Sequence, residues 1–266
     1  SSNPVYMRQR FPDGLLGERF APGETAYEDD SVRLWHDGDG IGVLSFKSKM
    51  NTVGDGVLAG VRKAIDIAEQ QFQGLVVWQT KEPFSAGADL SGVLASLQEG
   101  RIDDFRAMIG QFQATSMRIK YAQIPVVAAV RGMALGGGCE FQMHAARTVF
   151  ALESYIGLVE AGVGLLPAGG GLKEIALRVG SSGGDVFAGL KPYFEAIAMG
   201  KVSGSALEAK ELKLARESDV VVFNSFELLH VAKAQARAMA ESAYRPPMLA
   251  QNIPVAGRIG IATFKM

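Results

Sequence analysis

The chain has 266 residues, 48% hydrophobic and 21% charged, enough apolar material for one large domain that needs no disulfide or metal staple. Lys and Arg number 27 against 28 Asp and Glu, so no excess of positive charge points to a nucleic acid or an anionic membrane. Cys139 is the only cysteine, which excludes disulfides within the chain and a Cys-rich metal site and fits a reducing, cytoplasmic setting.

No uninterrupted apolar run is long enough to span a bilayer, so no membrane contact is expected. The start, Ser1-Ser2-Asn3-Pro4, carries neither an initiator Met nor an apolar signal core. With the abrupt end at Lys265-Met266, it points to a piece of a longer protein.

Residues 1–30 show little periodicity and several turn formers, and read as an arm or linker. Val32–His36 and Ile41–Phe46 are short β-like runs joined by Asp37-Gly38-Asp39-Gly40, a hairpin signal. From Gly54 the period becomes helical, with Leu58, Val61, Ile65 and Ala68 on one face. Leu75–Trp78 is an apolar strand, and Asp103–Lys120 a helix with Phe105, Ile109, Phe112 and Ser116 aligned.

Ile124–Val130 and Val149–Leu152 are further strands. Beyond Lys191 the pattern turns mostly helical, over Pro192–Met199, Ala206–Leu214 and Phe226–Ser242, with a brief Val220–Phe223 strand. Fully apolar strands alternating with helices predict an α/β fold with both sheet faces covered. The division expected is 1–30 arm, 31–190 core and 191–266 helical C-terminal region.

The densest chemical signal is Gly132–Glu140, Gly-Met-Ala-Leu-Gly-Gly-Gly-Cys-Glu, directly after an apolar strand. Three glycines in a row weaken any regular element, so they ask for a reason. One reason is close backbone approach to a ligand, with helix-opening N–H groups aimed at developing negative charge. A tight strand-to-helix turn is the alternative. No Lys-Ser/Thr follows, which excludes a nucleotide P-loop.

Phe84–Leu90 is a second small-residue loop, in which Asp89 is placed to cap the next helix. In the third segment, Glu153–Gly171, Glu160 stands among Leu158, Val159, Ala161, Val163 and Leu165. A carboxylate there either faces water or is half-buried with a raised pKa, and Glu140 beside Cys139 and Phe141 poses the same choice. Two such acids, each beside a glycine-rich turn, point to an acid–base pair. Competing motifs are weaker. Gly180–Gly184 follows a helical segment where a nucleophile elbow needs a strand. His36, His144 and His230 lack metal-ligand spacing.

These segments together resemble the crotonase (enoyl-CoA hydratase) superfamily, from about Val32 to about Ala243. The likeness rests on Phe84–Leu90, on Ile124–Val130 through Gly132–Glu140, and on Ile156–Gly171. It implies a superhelix of ββα units forming two roughly perpendicular sheets, followed by helices that mediate trimerisation. The alternating pattern by itself is equally compatible with a doubly wound sheet.

The resemblance implies an oxyanion hole at the backbone N–H groups of Ala88 and Gly137, with Glu140 and Glu160 as the hydratase glutamates. Ala86, Asp89, Leu90 and Ser91 would lie along the coenzyme A part of the substrate, and no separate cofactor is implied. Ser91 stands where many hydratases have a Lys, so charge contacts to coenzyme A would come from elsewhere. The stretches Ser154–Glu160 and Ala256–Thr263 are similar to the hydratase-like domain of large bacterial 3-hydroxyacyl-CoA dehydrogenases, which implies a dehydrogenase domain in the full-length protein.

The implied activity is hydration of 2-enoyl-CoA thioesters in fatty-acid β-oxidation by a homotrimer or hexamer. An isomerase usually lacks a carboxylate at the Glu140 position. A non-catalytic acyl-CoA-binding domain has no need of two facing acids.

Overall fold

A strand that is apolar at every position needs cover on both faces, and the arrangement of the sheet supplies it. The computed structural model describes residues 23–90 and 99–265. Seven strands form one sheet in sequential order: β1 (Glu24–Glu28), β2 (Val32–His36), β3 (Ile41–Phe46), β4 (Gly74–Trp78), β5 (Val126–Leu135), β6 (Arg147–Gly157) and β7 (Val220–Val222). The pairs β1–β2 and β2–β3 are antiparallel, and every later pair is parallel.

Sequential order decides between the two architectures the pattern allowed. A doubly wound sheet reverses its strand order at a switch point. Here each parallel strand is added beside the last, so the chain winds in one direction as a superhelix. The second layer is not a separate hydrogen-bonded sheet. Instead β5 and β6 run on past a register shift between Val130 and Gly132, and their far ends pair as Gly132–Ser154 through Leu135–Gly157.

The sheet's period of two divides its side chains between two cores. Leu44, Leu75, Val77, Val126, Ala128 and Val130 face α1 (Asp55–Gln71), α2 (Ile102–Lys120) and α3 (Gly137–His144). The alternate residues Val43, Val76, Trp78, Val127 and Ala129 pack against Leu228, Leu229, Ala232 and Ala236 of α7 (Leu228–Glu241). Of the remaining helices, α4 (Gly171–Gly180) and α5 (Val186–Ala198) follow β6, α6 (Ala206–Glu211) precedes β7, and α8 (Gly257–Phe264) ends the chain. α1 forms where the sequence predicted, burying Leu58, Val61, Ile65 and Ala68 on one stripe.

Two expectations need correction. The end of the 1–30 arm is not linker: Glu24–Glu28 is a strand on the sheet's edge. Its side chains are exposed or half-buried, so it lacks the apolar alternation that marks other strands. Gly132–Leu135, read as part of a turn, is strand, and the turn is confined to Gly136. Ser91 lies outside the described residues, as does the helix Asp89 was expected to cap. Among the described residues no helix is long and apolar enough to cross a membrane.

Because α7 covers the central strands β3 to β6 on one face of the sheet, it belongs to the core despite its late position in the chain. Leu228→Ala, at a fully buried site, is expected to lower unfolding free energy by about 2–5 kcal/mol. Phe223→Ser, at a side chain 78% exposed, should change it by less than about 0.5 kcal/mol in the same urea titration.

Candidate active site

The site stands at the carboxyl ends of the parallel strands. After β4 the chain runs on parallel to two neighbours rather than out into solvent. Ser85 N–H donates to the Met133 carbonyl at 3.0 Å, and Leu135 N–H to the Ser85 carbonyl at 3.1 Å. Val53 N–H donates to the Gly87 carbonyl at 2.8 Å, and Asp89 N–H to the Val53 carbonyl at 3.0 Å. That is parallel pairing of Val53 with Ala88, and it turns the N–H of Ala88 to the opposite side.

After β5, Gly136 holds φ at 50°, a left-handed conformation that favours glycine, and its N–H donates to the Gly157 carbonyl at 2.9 Å. Gly137 is the first residue of α3, so its N–H has no acceptor within the helix. A Cβ on Gly137 would overlap the Phe112 ring, so any other residue would displace that wall of the site.

Ala86, Ala88, Leu90, Gly137, Glu140 and Glu160 all line one cleft of about 500 Å³. The structure therefore gathers most residues singled out in the sequence. Asp89 is not among the lining residues; its backbone pins the loop to Val53. One side of the cleft is apolar, formed by Phe105, Met108, Ile109 and Phe112 of α2 with Leu165 and Leu166 after β6.

Glu140 is 3% exposed, on a short helix whose residues are all buried. Burial raises its carboxyl to about 8, and the charge of Glu160 pushes the same way. The amides of Gly169, Gly170 and Gly171 oppose that rise, the Gly171 N–H donating to Oε1 at 2.8 Å. Glu160 sits on the 3₁₀ turn Glu160–Val163, half-buried, and burial lifts its carboxyl to about 7. Its Oε1 lies over Gly136, where a Cβ would stand 3.3 Å away. Two neighbouring carboxyls, both raised, can hold one proton between them near neutral pH. Such a pair has one acid and one base available at once.

Sequence reading missed the Gly169–Gly171 amides, although the signal existed. Three glycines opening a helix occur twice, at 136–138 and at 169–171, and only the first was read as a source of backbone donors. Cys139 is wholly buried with its thiol pushed up by burial, so it is a packing residue. Among the described residues no group of His, Cys, Asp and Glu is arranged to hold a metal.

Residues 37–188 match the family model described as Enoyl-CoA hydratase/isomerase. A probable 3-hydroxyacyl-CoA dehydrogenase from Bacillus subtilis is 40% identical over 225 residues, covering 85% of this chain and 28% of that protein. A putative fatty acid oxidation complex trifunctional enzyme from Rickettsia felis is 32% identical over 151 residues, covering 57% of this chain and 21% of that one. The chain thus spans less than a third of either relative. An enoyl-CoA hydratase structure from Bacillus anthracis superposes with a TM-score of 0.61 at 23% identity, covering 80% of this chain and 76% of that one, which shows the shared fold.

Raised carboxyls tie stability to pH. Both acids bind protons more tightly in the folded chain than in the unfolded one, so their contribution is fullest below the ordinary carboxylate range. It is lost as pH rises towards 7 and 8. Glu140→Gln should therefore flatten the decline of unfolding free energy between pH 5 and 8. At pH 8 it should exceed the parent by at least about 1 kcal/mol, one pH unit of displacement being roughly 1.4 kcal/mol.

Proposed function

The chain belongs to the enoyl-CoA hydratase/isomerase family, as a hydratase-like domain of the kind found in fatty-acid oxidation enzymes, and on that premise we propose that it hydrates 2-enoyl-CoA thioesters. The observation that carries this reading is the meeting in one cleft of the buried Glu140 and half-buried Glu160 carboxyls with Ala88 and Gly137, whose backbone N–H groups are left free by the local pairing.

The thioester oxygen sits against the N–H groups of Ala88 and Gly137, which stabilise the negative charge that grows there as water attacks. A donor of this kind is typically worth about 3–4 kcal/mol at the transition state. Because it comes from the backbone, the residues must be small, as Ala86, Gly87, Ala88, Gly136 and Gly137 are.

Water bridges the two glutamates. Glu140 holds a proton the more tightly of the two, so the reactive arrangement is the minor one in which Glu140 is ionised against the Gly171 N–H and Glu160 is protonated. Glu140 takes a proton as the water oxygen bonds to the β-carbon, and Glu160 delivers its proton to the α-carbon. The product is the 3-hydroxyacyl thioester, with the sum of charges unchanged. Leu90 and Ala86 flank the thioester arm. The apolar wall from Phe105 to Phe112 receives the acyl chain.

The reading needs no cofactor beyond the coenzyme A of the substrate. It further places the chain in the cytoplasm as a homotrimer or hexamer, next to a 3-hydroxyacyl-CoA dehydrogenase domain that would oxidise its product. The 40% identity over 225 residues to the Bacillus subtilis protein supports the neighbouring dehydrogenase domain.

The test is loss of enoyl-thioester absorbance on mixing with crotonyl-CoA and with longer 2-enoyl-CoA substrates. Glu140→Gln and Glu160→Gln should each lower kcat by roughly 10²–10⁴-fold, the usual contribution of a positioned acid or base. Hydration surviving in Glu140→Gln would instead favour isomerase-like chemistry with one glutamate. A folded parent that binds acyl-CoA but leaves every enoyl substrate unchanged would be a binding domain.

A further inference from the structure

Glu174 is 2% exposed on the first turn of α4, and the mechanism above makes no use of it. Its Oε1 receives Lys120 Nζ from the last turn of α2 at 2.6 Å and Lys173 Nζ at 2.6 Å. His144 Nε2 stands 3.6 Å from the same oxygen. The His144 Nδ1 lies 2.6 Å from the Glu140 carbonyl, and since a carbonyl only accepts, Nδ1 carries the proton. A buried ion pair is a weak contributor to stability in itself, because desolvation offsets the attraction. Its presence here asks what it positions.

The answer lies one turn away. The amides that hold the Glu140 carboxylate belong to Gly169–Gly171, a segment with no side chains by which to anchor itself. Nor does it have room for any. A Cβ on Gly169 would overlap Glu140 Oε2 and the Phe112 ring, one on Gly170 would stand 2.6 Å from His144 Cε1, and one on Gly171 3.1 Å from Glu140 Oε1. The N-terminus of α4 also lacks a side-chain cap. The segment is therefore held from its two ends: before it, Gln113 Nε2 of α2 donates to the Ala168 carbonyl at 2.8 Å, and after it, in the following turn, Glu174 is tied to the same helix.

We propose that the Glu174–Lys120 ion pair is a positioning device for Glu140: it fastens the start of α4 to α2 and so holds the Gly169–Gly171 amides against the catalytic carboxylate. Glu174 touches no reacting atom. It acts through three backbone amides, with Lys173 as a second counter-charge and His144 filling the space beneath Gly170. The inference rests on Glu140 being the base of the proposed reaction.

The experiment compares the parent with Lys120→Met/Glu174→Gln, which removes one charge of each sign. Enoyl-CoA hydration is measured with hydrogen exchange of the peptide spanning residues 168–172. In the double variant kcat should fall on the order of 10- to 100-fold with KM within about threefold, as expected when a reacting group is displaced while substrate binding is unaffected. Exchange at Gly169–Gly171 should quicken at least about tenfold while β4 and β5 exchange as before.

Lys233→Met serves as the control. It breaks ion pairs to Asp37 at 2.7 Å and Asp39 at 2.9 Å that join α7 to the β2–β3 turn, and should lower Tm without changing kcat. If the double variant does not fold, Glu174→Asp keeps the charge on a shorter arm and should move kcat and exchange the same way by about 3–10-fold. Folded variants whose kcat stays within twofold of the parent, or whose Gly169–Gly171 exchange is unchanged, would overturn the proposal and leave an ordinary structural ion pair. If Glu140→Gln, run alongside, still hydrates, the reading of Glu140 itself fails and the positioning role falls with it. Collapse of Glu140→Gln beside active Glu174 variants would sink the positioning role alone.

Discussion

A carboxyl group enclosed in an apolar helix must either keep its proton or be given donors, and Glu140 is provided for in both ways. Burial raises its proton affinity, while backbone amides from the start of α4 restrain the rise. Between these opposing effects the group is left able to change protonation near neutral pH, which is the condition a general base must meet. Much of the surrounding architecture serves that balance. The glycines at 169–171 let backbone come close enough to donate, and Glu160 contributes a second raised acid across Gly136.

The fold makes such a site possible by its winding. Each parallel strand ends on the same edge of the sheet, so loops from β4, β5 and β6 converge there without any reversal of strand order. The loop after β4 is then held along β5 and along the Met50–Val53 segment by six backbone hydrogen bonds, which fix the direction of the Ala88 amide. A rigid backbone donor of this kind does not reorganise during reaction, and this is the source of its effect. Opposite the site, α7 seals the second face of the sheet, giving both faces of every central strand an apolar partner.

The charged network behind the site shows how a segment without side chains is controlled. Gly169–Gly171 gains close approach to Glu140 by giving up any side-chain hold of its own, and the hold is supplied just before it by Gln113 on the Ala168 carbonyl and a turn later through Glu174 and the lysines of α2 and α4. In energetic terms the ion pair is close to neutral, so its value is geometric. That separates it from Lys233 with Asp37 and Asp39, which joins α7 to a turn remote from the cleft.

Local pattern was legible in the sequence. Val32–His36 and Ile41–Phe46 are strands with the expected bounds, and the helices predicted at 103–120 and 226–242 appear at Ile102–Lys120 and Leu228–Glu241. Glu140 and Glu160 were legible too, because a lone acid in an apolar run beside glycines is chemically conspicuous. Strand β1 was not, since an edge strand with exposed side chains has no period to read. Sequence could not choose between a superhelix and a doubly wound sheet either, for the alternation of elements is the same and only strand order differs. Nor could it foresee that Lys120 would meet Glu174 across 54 residues, or that Gly171 would donate to Glu140 across 31. By itself, then, the sequence determined the elements, the family motifs and the acids, because these depend on neighbours along the chain. The tertiary structure alone decided which amides, lysines and rings meet those acids, because that depends on where the superhelix brings distant turns together.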